Sequence, residues 1–210
     1  MNLSEQPNIN AYNIDCMEWM KGKPDNYYDL AIVDPPYGIG AENHAGNKEN
    51  GWTQWPKKAW DNIVPTVKYF NELTRVSNEQ VIWGGNYFKL PPSQCWLVWD
   101  KGQRGFSLAD GELAWTSFKK SLRIYEYSRG RANSEGKCHP TQKPVQLYRW
   151  ILSRYAEPGQ RILDTHGGSF SSAIACHNEG YDLDICELDE DYFRDAVKRF
   201  KLNTVQGSLF

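Results

Sequence analysis

The segment Asp34-Pro-Pro-Tyr37 combines a carboxylate, two rigid residues and an aromatic ring. Proline fixes its own backbone angle, so the carboxylate of Asp34 and the carbonyl oxygen of Pro35 would be pre-positioned hydrogen-bond acceptors beside the ring of Tyr37. A flat base that carries an amino group would fit such a site. Taken alone, the four residues are equally typical of a rigid turn with an exposed tyrosine.

A glycine-containing loop, Asp164-Thr-His-Gly-Gly-Ser169, follows a predicted strand, and Glu187 ends the next predicted strand, 23 residues after Asp164. In a doubly wound sheet this corner binds nucleosides, because glycines admit the ligand and an acid about 20 residues later reaches the ribose hydroxyls. The dinucleotide pattern G-x-G-x-x-G is absent, and Asp164 would repel a pyrophosphate. An adenosine ligand that carries an ammonium group is favoured over NAD, although such glycine loops also occur for steric reasons alone.

A third segment, His139-Pro-Thr-Gln-Lys-Pro144, precedes a predicted helix. Lys143 and the free N–H groups at the start of the helix could bind a carboxylate. In isolation, a solvated proline-rich turn is the better interpretation.

Short apolar runs separated by turn residues predict the elements that position these segments. Strands are predicted at residues 29–33, 81–83, 95–99, 112–115, 122–127, 161–163 and 181–186. Helices are predicted at residues 63–76, from 144 to before 158, at 170–179 and at 189–200. The alternation of strands and helices predicts an α/β sheet with mostly parallel strands.

The chain length of 210 residues favours one domain. Hydrophobic residues make up 40% and charged residues 24%, which is typical of globular chains. No apolar run approaches the ~20 residues that cross a bilayer, and no export signal opens the sequence, so we expect a cytoplasmic location. Five cysteines without a C-x-x-C pair favour free thiols. No metal site is predicted, since the adjacent pairs Cys138-His139 and Cys176-His177 point in divergent directions.

Basic residues concentrate in the middle of the chain. Residues 101–157 contain 11 basic and 5 acidic residues, whereas residues 1–100 contain 8 and 12, and residues 158–210 contain 5 and 9. This segregation suits a polyanionic partner that is held by one region of an otherwise acidic protein. A solvated surface on which the charges mix after folding explains the same counts equally well.

In combination, the three segments resemble the permuted β class of DNA amino-methyltransferases, in which the DPPY segment precedes the S-adenosylmethionine-binding segment. Further matching segments are Asp15-Cys16 and residues 83–88, 99–102 and 111–117, so the resemblance covers most of the chain. It implies a Rossmann-like α/β fold, with a mostly parallel twisted sheet and helices on both faces, and one catalytic domain over residues 1–210. Short members are similar to enzymes of bacteriophages and prophages, which act in the bacterial cytoplasm.

The resemblance also implies roles for individual residues. The implied catalytic residues are Asp34, Pro35, Pro36 and Tyr37. S-adenosylmethionine is the implied cofactor: Asp164 faces its amino-acid portion, Glu187 holds its ribose and Asp15 lies near its adenine. Lys143 and Thr141 approach the methionine carboxylate. The complete set of implied cofactor-binding residues is Asp15, Thr141, Lys143, Asp164, His166, Gly167, Gly168, Ser169 and Glu187.

The cofactor loop departs from the family pattern Asp-Pro-Phe-x-Gly-Ser-Gly. Thr165 and His166 replace the proline and phenylalanine, and Phe170 stands where the last glycine belongs. If that glycine makes room for the cofactor, Phe170 would weaken binding or require a shifted backbone.

The implied reaction methylates the 6-amino group of an adenine that has been flipped out of the duplex and stacked on Tyr37. Methylation at carbon 5 of cytosine is disfavoured, because it would need a cysteine nucleophile, usually after a proline, and no cysteine follows one here. Three alternatives stay open: methylation of the exocyclic amine of cytosine, an RNA substrate, and a non-catalytic nucleic-acid-binding relic of the family.

Double-stranded DNA is the expected partner, with contacts on the basic middle region and a mobile loop around residues 41–61 closing over the site. The expected DNA-binding residues are Lys119, Lys120, Arg123, Arg129, Arg131 and Lys137. A target-recognition region limited to about residues 119–138 predicts short or relaxed target sites. A homodimer is common in the family.

Overall fold

The computed structural model describes residues 6–40, 64–105, 109–136 and 138–205. The expected mobile loop at residues 41–61 and the expected DNA contact Lys137 lie outside the described residues. The helix predicted at residues 63–76 is described from residue 64 onward.

Eight strands form one sheet in the order β1-β8-β7-β2-β3-β5-β4-β6. Their bounds are β1 Ile9–Tyr12, β2 Tyr28–Val33, β3 Ser77–Trp83, β4 Trp96–Asp100, β5 Gly111–Thr116, β6 Arg123–Glu126, β7 Arg161–Asp164 and β8 Asp182–Cys186. Neighbouring strands run parallel, except that β5 is antiparallel to both β3 and β4. The predicted mostly parallel α/β sheet is confirmed.

Helices cover both faces of the sheet, as predicted. Their bounds are α1 Cys16–Lys21, α2 Val67–Val76, α3 Arg129–Ser134, α4 Val145–Tyr155, α5 Ser171–Glu179 and α6 Glu190–Val205. Alternate residues of β2 point to opposite faces. Leu30 and Ile32 pack in a core that includes residues of α4, α5 and α6, while Ala31 and Val33 pack in a second core with residues of α1 and α2. None of the described helices is long and apolar enough to cross a membrane.

The pattern of apolar runs did not predict β1, α1 or α3. Strand β1 has only four residues and lies at the edge of the described sheet, where it pairs with β8. Helix α1 has six residues and begins at a local signal, the side chain of Asp15, which accepts hydrogen bonds from the backbone N–H groups of Met17 and Glu18. Such short elements contain too few apolar residues to show a period.

The candidate residues gather where the parallel strands have their carboxyl ends, which we call the Asp34 edge of the sheet. Strands β2 and β7 are parallel neighbours near its centre, and the chain leaves β2 towards β3 on one side and β7 towards β8 on the other. A crevice forms outside the carboxyl ends of the strands at such a switch point. Asp34 directly follows β2 and Asp164 ends β7, so both carboxylates lie at this crevice.

Phe170 adopts the left-handed backbone region, with φ at 59°, at the residue that caps α5. Its side chain is only 1% exposed and packs against Phe193. The ring also lies against Gly167, where an added Cβ would come within 2.6 Å of its Cε1 atom. The backbone therefore adopts a conformation that favours glycine, while the ring is buried in the core.

This geometry predicts an unusual order of stability. Phe170→Ala should lower the free energy of unfolding by about 3–5 kcal/mol, because a buried ring is removed while the left-handed backbone stays. Phe170→Gly should be up to about 1 kcal/mol less damaging, because glycine adopts this region without strain. Urea denaturation measures both variants.

The matched control is Gly180→Ala. Gly180 caps the other end of α5 with φ at 81°, and an added Cβ would meet nothing within 4 Å. Its loss of about 1 kcal/mol would measure the left-handed cost alone. A Phe170→Ala variant more stable than Phe170→Gly would contradict the backbone conformation at residue 170.

Candidate active site

The Asp34-Pro-Pro-Tyr37 turn holds its carboxylate and its aromatic ring close together. The Tyr37 hydroxyl donates to Oδ1 of Asp34 at 2.6 Å. Gly84 makes this position of the ring accessible, since a Cβ on Gly84 would lie 2.2 Å from Cε1 of Tyr37. On one side the ring is stacked on Tyr87, with the centroids 5.1 Å apart and an interplanar angle of 16°.

Lys143 is buried against this turn, with its side chain 2% exposed. Its ammonium lies 2.6 Å from Oδ2 of Asp34 and 3.0 Å from Oε2 of Glu112, and donates to the hydroxyl of Tyr37 at 3.0 Å. Lys101 approaches the other oxygen of Glu112 at 2.6 Å. Lys143, which was expected at the methionine carboxylate of the cofactor, is thus bound to two carboxylates of the protein itself.

The two carboxylates that share Lys143 differ in electrostatics. Burial raises the pKa of Asp34, the single ammonium of Lys143 opposes this shift, and the charge of Glu112 adds to it. Burial also opposes ionisation of Glu112, but the ammonium groups of Lys143 and Lys101 outweigh it and lower the pKa to about 2. Glu112 therefore stays ionised at neutral pH, and Asp34 is the more basic of the two groups.

Asp164 is a buried carboxylate that is satisfied by hydrogen bonds. Its Oδ1 accepts from the backbone N–H of His166 at 3.0 Å, and its Oδ2 accepts from the hydroxyl of Ser172 at 2.5 Å. Burial raises its pKa to about 7, against the effect of these hydrogen bonds. Within the described ranges no basic side chain forms an ion pair with it.

Glu187 is held in place by backbone donors. The N–H of Gly168 donates to Oε2 at 2.8 Å, and the N–H of Asp189 donates to Oε1 at 2.9 Å. The N–H of Gly167 bonds to the carbonyl of Cys186 at 2.8 Å, which fastens the loop to the end of β8. Asp15 belongs to the same edge of the sheet, because β1 and β8 are paired and the N–H of Glu187 bonds to the carbonyl of Tyr12.

The remaining loop residues form a hydrogen-bonded wall. The hydroxyl of Thr165 contacts Nδ1 of His166 at 2.9 Å and the hydroxyl of Tyr69 at 2.6 Å. Burial lowers the pKa of His166 to about 4, so the imidazole is neutral at physiological pH. A Cβ added at Gly168 would lie 3.8 Å from the ring of His139, whose Nδ1 contacts the hydroxyl of Thr141 at 3.2 Å.

The structure behind the loop holds Ser169 in place. Ser169 is buried, and its carbonyl accepts from the guanidinium of Arg199 at 2.7 Å. The structure thus brings all nine expected cofactor residues to one edge of the sheet, with Lys143 turned towards Asp34.

The expected DNA-binding residues are divided between the amino ends and the carboxyl ends of the parallel strands. Strand β6 runs parallel to β4, so Arg123 lies at the amino end of the strands together with Lys119 and Lys120. Lys120 there donates to the backbone carbonyl of Arg154 at 3.4 Å. Arg129 and Arg131 follow β6 on α3, at the edge that carries Asp34. The structure therefore does not form one basic surface from the whole set.

Glu112 was not predicted as a functional residue. Strand β5 is antiparallel to its neighbours, so its beginning lies at the edge where the parallel strands end, and Glu112 reaches Lys143 from there. The available signal was the matching segment at residues 111–117, which contains one carboxylate. No grouping of at least three His, Cys, Asp or Glu side chains in the described part could hold a metal ion.

Residues 71–198, more than half of the chain, match the sequence model of the DNA methylase family. The chain belongs to the DNA methylase family. Its methyl donor is S-adenosylmethionine, and its substrate class is DNA. The match confirms the family and the cofactor that the three motifs predicted. It covers both N6 and N4 methylases, so it leaves the methylated base open.

Similar proteins agree with this assignment. The methylase is 23% identical over 236 residues to the Type II methyltransferase M.HpaI of Haemophilus parainfluenzae, spanning 88% of this chain and 72% of that protein. Two solved structures share its fold. The complex of M1.HpyAVI with S-adenosylmethionine is 22% identical with a TM-score of 0.61, over 91% of this chain and 99% of that one. PvuII DNA methyltransferase, described as cytosine-N4-specific, is 15% identical with a TM-score of 0.60, over 97% and 94%.

The loop of the methylase fits this cofactor chemically. Asp164 is a buried acid with a raised pKa, so a ligand ammonium beside it would supply the charge that stabilises its ionised form. Each oxygen of Glu187 binds one backbone N–H and keeps acceptor capacity for a ribose hydroxyl. Phe170 is buried in the core, so its ring presents almost no surface to a ligand.

The pKa of Asp164 predicts a proton-linked binding reaction. Near pH 6 the group is mostly protonated without cofactor, because its pKa is about 7. A cation stabilises the carboxylate and expels this proton, so affinity should rise about fivefold from about pH 6 to about pH 7, below the range in which an α-amino group loses its own proton. Calorimetry in two buffers of different ionisation enthalpy measures the released proton directly.

The control is Asp164→Asn, which has the same shape and no titrating group. This variant should bind more weakly and release no proton through residue 164. Binding to the unaltered methylase that is independent of pH over the same range would contradict a role for Asp164 beside the cofactor ammonium.

Proposed function

We propose that this methylase transfers a methyl group to the exocyclic 6-amino group of adenine in DNA. The observation that supports this proposal is the acceptor geometry of Asp34 at the switch point of the sheet. In the resemblance to the amino-methyltransferases, Asp rather than Ser before Pro-Pro-Tyr favours adenine over cytosine. The base is flipped out of the duplex, because its amine cannot reach Asp34 from within the stack.

A base can stack on the ring of Tyr37 once it takes the place of the ring of Tyr87. Ring centroids 5.1 Å apart leave no space for a base between Tyr37 and Tyr87. Tyr87 is 47% exposed and lies on a short 3-10 turn at Gly85–Tyr87. We therefore expect the base to replace Tyr87 on the ring of Tyr37, which conserves the stacking energy of that face.

A second exchange takes place at Asp34. Both of its oxygens are occupied, one by the hydroxyl of Tyr37 and the other by the ammonium of Lys143. The hydroxyl is the replaceable donor, because a hydrogen bond from a neutral group is weaker than one within an ion pair. The amine then donates one hydrogen to Asp34 and the other to the carbonyl oxygen of Pro35.

These two acceptors prepare the amine for attack. Hydrogen bonds from both N–H groups make the nitrogen more tetrahedral and localise its lone pair, so positioning and electrostatics provide most of the acceleration. When bound, S-adenosylmethionine supplies the methyl group, whose bond to sulfur breaks with the electron pair staying on sulfur as the bond to nitrogen forms. Asp34 accepts the surplus proton from the methylated nitrogen and passes it to solvent when the product leaves.

The cofactor roles inferred from the resemblance belong to this proposal. Asp164 binds the ammonium, Glu187 binds the ribose and Asp15 lies beside the adenine. Thr141 approaches the methionine carboxylate, and His166, Gly167, Gly168 and Ser169 form the surrounding loop. Lys143 is assigned instead to Asp34, because two protein carboxylates and the hydroxyl of Tyr37 already occupy its ammonium.

Methylation of the exocyclic amine of cytosine is the second candidate. It is favoured by the likeness of the fold to PvuII DNA methyltransferase, which is described as cytosine-N4-specific. The same two acceptors would serve that amine. The two candidates differ in the base that the pocket admits.

Transfer of labelled methyl from S-adenosylmethionine to unmethylated DNA, followed by digestion to nucleosides and chromatography, tests the function. We expect label in N6-methyl-2′-deoxyadenosine. Label in N4-methyl-2′-deoxycytidine would assign the second candidate, and label in RNA alone would change the substrate. No label in any nucleic acid, with cofactor binding retained, would support a non-catalytic relic.

Asp34→Ala should abolish transfer and spare cofactor binding. Asp34→Asn is its isosteric control, since it keeps the volume beside Lys143 and removes the charge. Turnover of Asp34→Ala within about tenfold of the unaltered enzyme would contradict the catalytic role, since removing a positioned proton acceptor costs about 10²–10⁴-fold.

We propose that DNA lies along the edge that carries Asp34, and that α3 is the part of the expected target-recognition region, residues 119–138, that contacts it. Arg129→Gln with Arg131→Gln should reduce the slope of log K against log salt by about 0.9 for each phosphate that these arginines neutralise. Fluorescence anisotropy of a DNA duplex measures it between about 50 and about 200 mM salt.

The matched control is Lys120→Gln with Arg123→Gln, which removes the same charge from the opposite edge. Those substitutions should leave the slope unchanged. Equal reductions of the slope in both double variants would show that DNA also follows the far edge of the sheet.

A further inference from the structure

We propose that Glu112 is a positioning residue for methyl transfer, which acts on Asp34 through the ammonium of Lys143 that both carboxylates share. The inference rests on the proposed function, because it concerns the acceptor of that reaction. Glu112 touches no reacting atom itself. Its carboxylate forms ion pairs with two lysines, Lys143 and Lys101.

The four charged groups form a continuous chain of alternating sign: Asp34, Lys143, Glu112 and Lys101. Successive groups are 2.6, 3.0 and 2.6 Å apart. The side chains are 17%, 2%, 25% and 12% exposed, so water screens these contacts only in part. A change at one end of such a chain is therefore felt at the other end.

The chain is assembled from separate parts of the fold. Asp34 follows β2, Lys143 lies just before α4, Glu112 is in β5 and Lys101 directly follows β4. Packing of the sheet does not require charges at these positions, and buried ion pairs contribute little net stability compared with apolar residues of similar volume. The arrangement is therefore better explained by the one acceptor at its end than by stability.

Glu112 limits how strongly Lys143 holds Asp34. The ammonium has three hydrogens, and it contacts Asp34, Glu112 and the hydroxyl of Tyr37. Without the charge of Glu112, Lys143 would be neutralised by Asp34 alone. Asp34 would then be a weaker hydrogen-bond acceptor and a weaker base towards the amine.

Other groups also act on Asp34. Tyr37 lies on its own turn, Tyr148 approaches from α4 and Asp164 from the end of β7. Asp164 shares the crevice and carries like charge when it is ionised. Of the surrounding groups, Glu112 and Lys101 offer a matched pair of opposite charges that can be removed singly without altering the turn itself.

The two substitutions should shift activity in opposite directions. Glu112→Gln removes a negative charge and lowers the pKa of Asp34, so the acid limb of kcat/KM should move to lower pH by roughly one unit. In the same variant kcat should fall about tenfold, because the weaker base accepts the proton less readily. Lys101→Met removes a positive charge and should move the acid limb to higher pH. A merely structural role would not produce shifts of opposite sign.

The experiment measures labelled methyl transfer against pH over a range of DNA concentrations at saturating cofactor, which gives kcat/KM and kcat separately, for the unaltered enzyme, Glu112→Gln and Lys101→Met. Glu157→Gln is the matched control, an exposed glutamate that follows α4 outside the site and the proposed DNA-binding region, and it should leave the profile unchanged. Carbon-13 NMR of labelled aspartate provides a second readout without substrate. The carboxyl resonance that is missing in Asp34→Asn should titrate at lower pH in Glu112→Gln.

Each outcome is decisive for the positioning role. An unchanged acid limb with kcat within about twofold, or shifts of the same sign in both variants, would overturn it while leaving the proposed function intact. Label in cytosine would keep it, because the acceptor geometry is the same. No transfer by the unaltered enzyme would overturn the proposed function and this role together.

Discussion

A buried ammonium between two carboxylates is the contact on which the arrangement of the site depends. Lys143 is 2% exposed, and its buried positive charge is balanced by the ionised carboxylates of Asp34 and Glu112. An unpaired charge at this depth costs several kcal/mol, so the contact forces three distant segments to meet at one point. The end of β2, the start of β5 and the turn before α4 are thereby fixed relative to one another.

The antiparallel strand explains how this meeting is possible. Parallel strands deliver their last residues to the carboxyl edge, as β2 and β7 do with Asp34 and Asp164. Strand β5 runs the other way and delivers its first residues instead, so Glu112 faces the same crevice. The antiparallel strand β5 thus adds the carboxylate of Glu112 to the site. In an all-parallel sheet, a carboxylate at this position would have to come from a loop.

The two acids of the crevice are buried in different ways, and this difference separates their chemistry. Burial raises the pKa of both groups, but among the described residues Asp34 has a lysine beside it and Asp164 has hydrogen bonds instead. Asp34 is already compensated, so it suits a neutral amine that donates a hydrogen bond. Asp164 suits a ligand that brings a cation. Two neighbouring carboxylates can therefore select different ligands: Asp34 a base with a neutral amine, and Asp164 a cationic cofactor.

The sequence predicted the parts of the fold whose cause is local. Strand β2 was visible as an apolar run stopped by two prolines, and the loop from Asp164 was visible between a strand and a helix. Strand β1 was not, because four residues at an edge bury too little to show a pattern. The position of Phe170 was recognised as unusual, but the outcome depended on a left-handed backbone and a core contact with Phe193 that no local pattern contains.

Contacts between distant segments could not be predicted in this way. The motifs named both Asp34 and Lys143, yet nothing in their spacing showed that they form an ion pair across 109 residues of sequence. The concentration of basic residues in the middle of the sequence did not predict a single basic surface, for a related reason. Strand β6 runs from the amino ends of the parallel strands to their carboxyl ends. Arg123 begins β6 and Arg129 follows it, so these two residues are close in sequence and lie at opposite ends of the strands.

This division of charge bears on how the methylase holds DNA. Of the five expected basic contacts that the structure describes, only Arg129 and Arg131 lie at the edge of Asp34. Few phosphate contacts give weak binding with a small salt dependence. Interactions with the extruded base then contribute a larger share of the affinity, and stacking alone is worth about 1–3 kcal/mol per base. A flipped base that stacks on Tyr37 and bonds to Asp34 would therefore serve as an anchor of the complex as well as the reacting group.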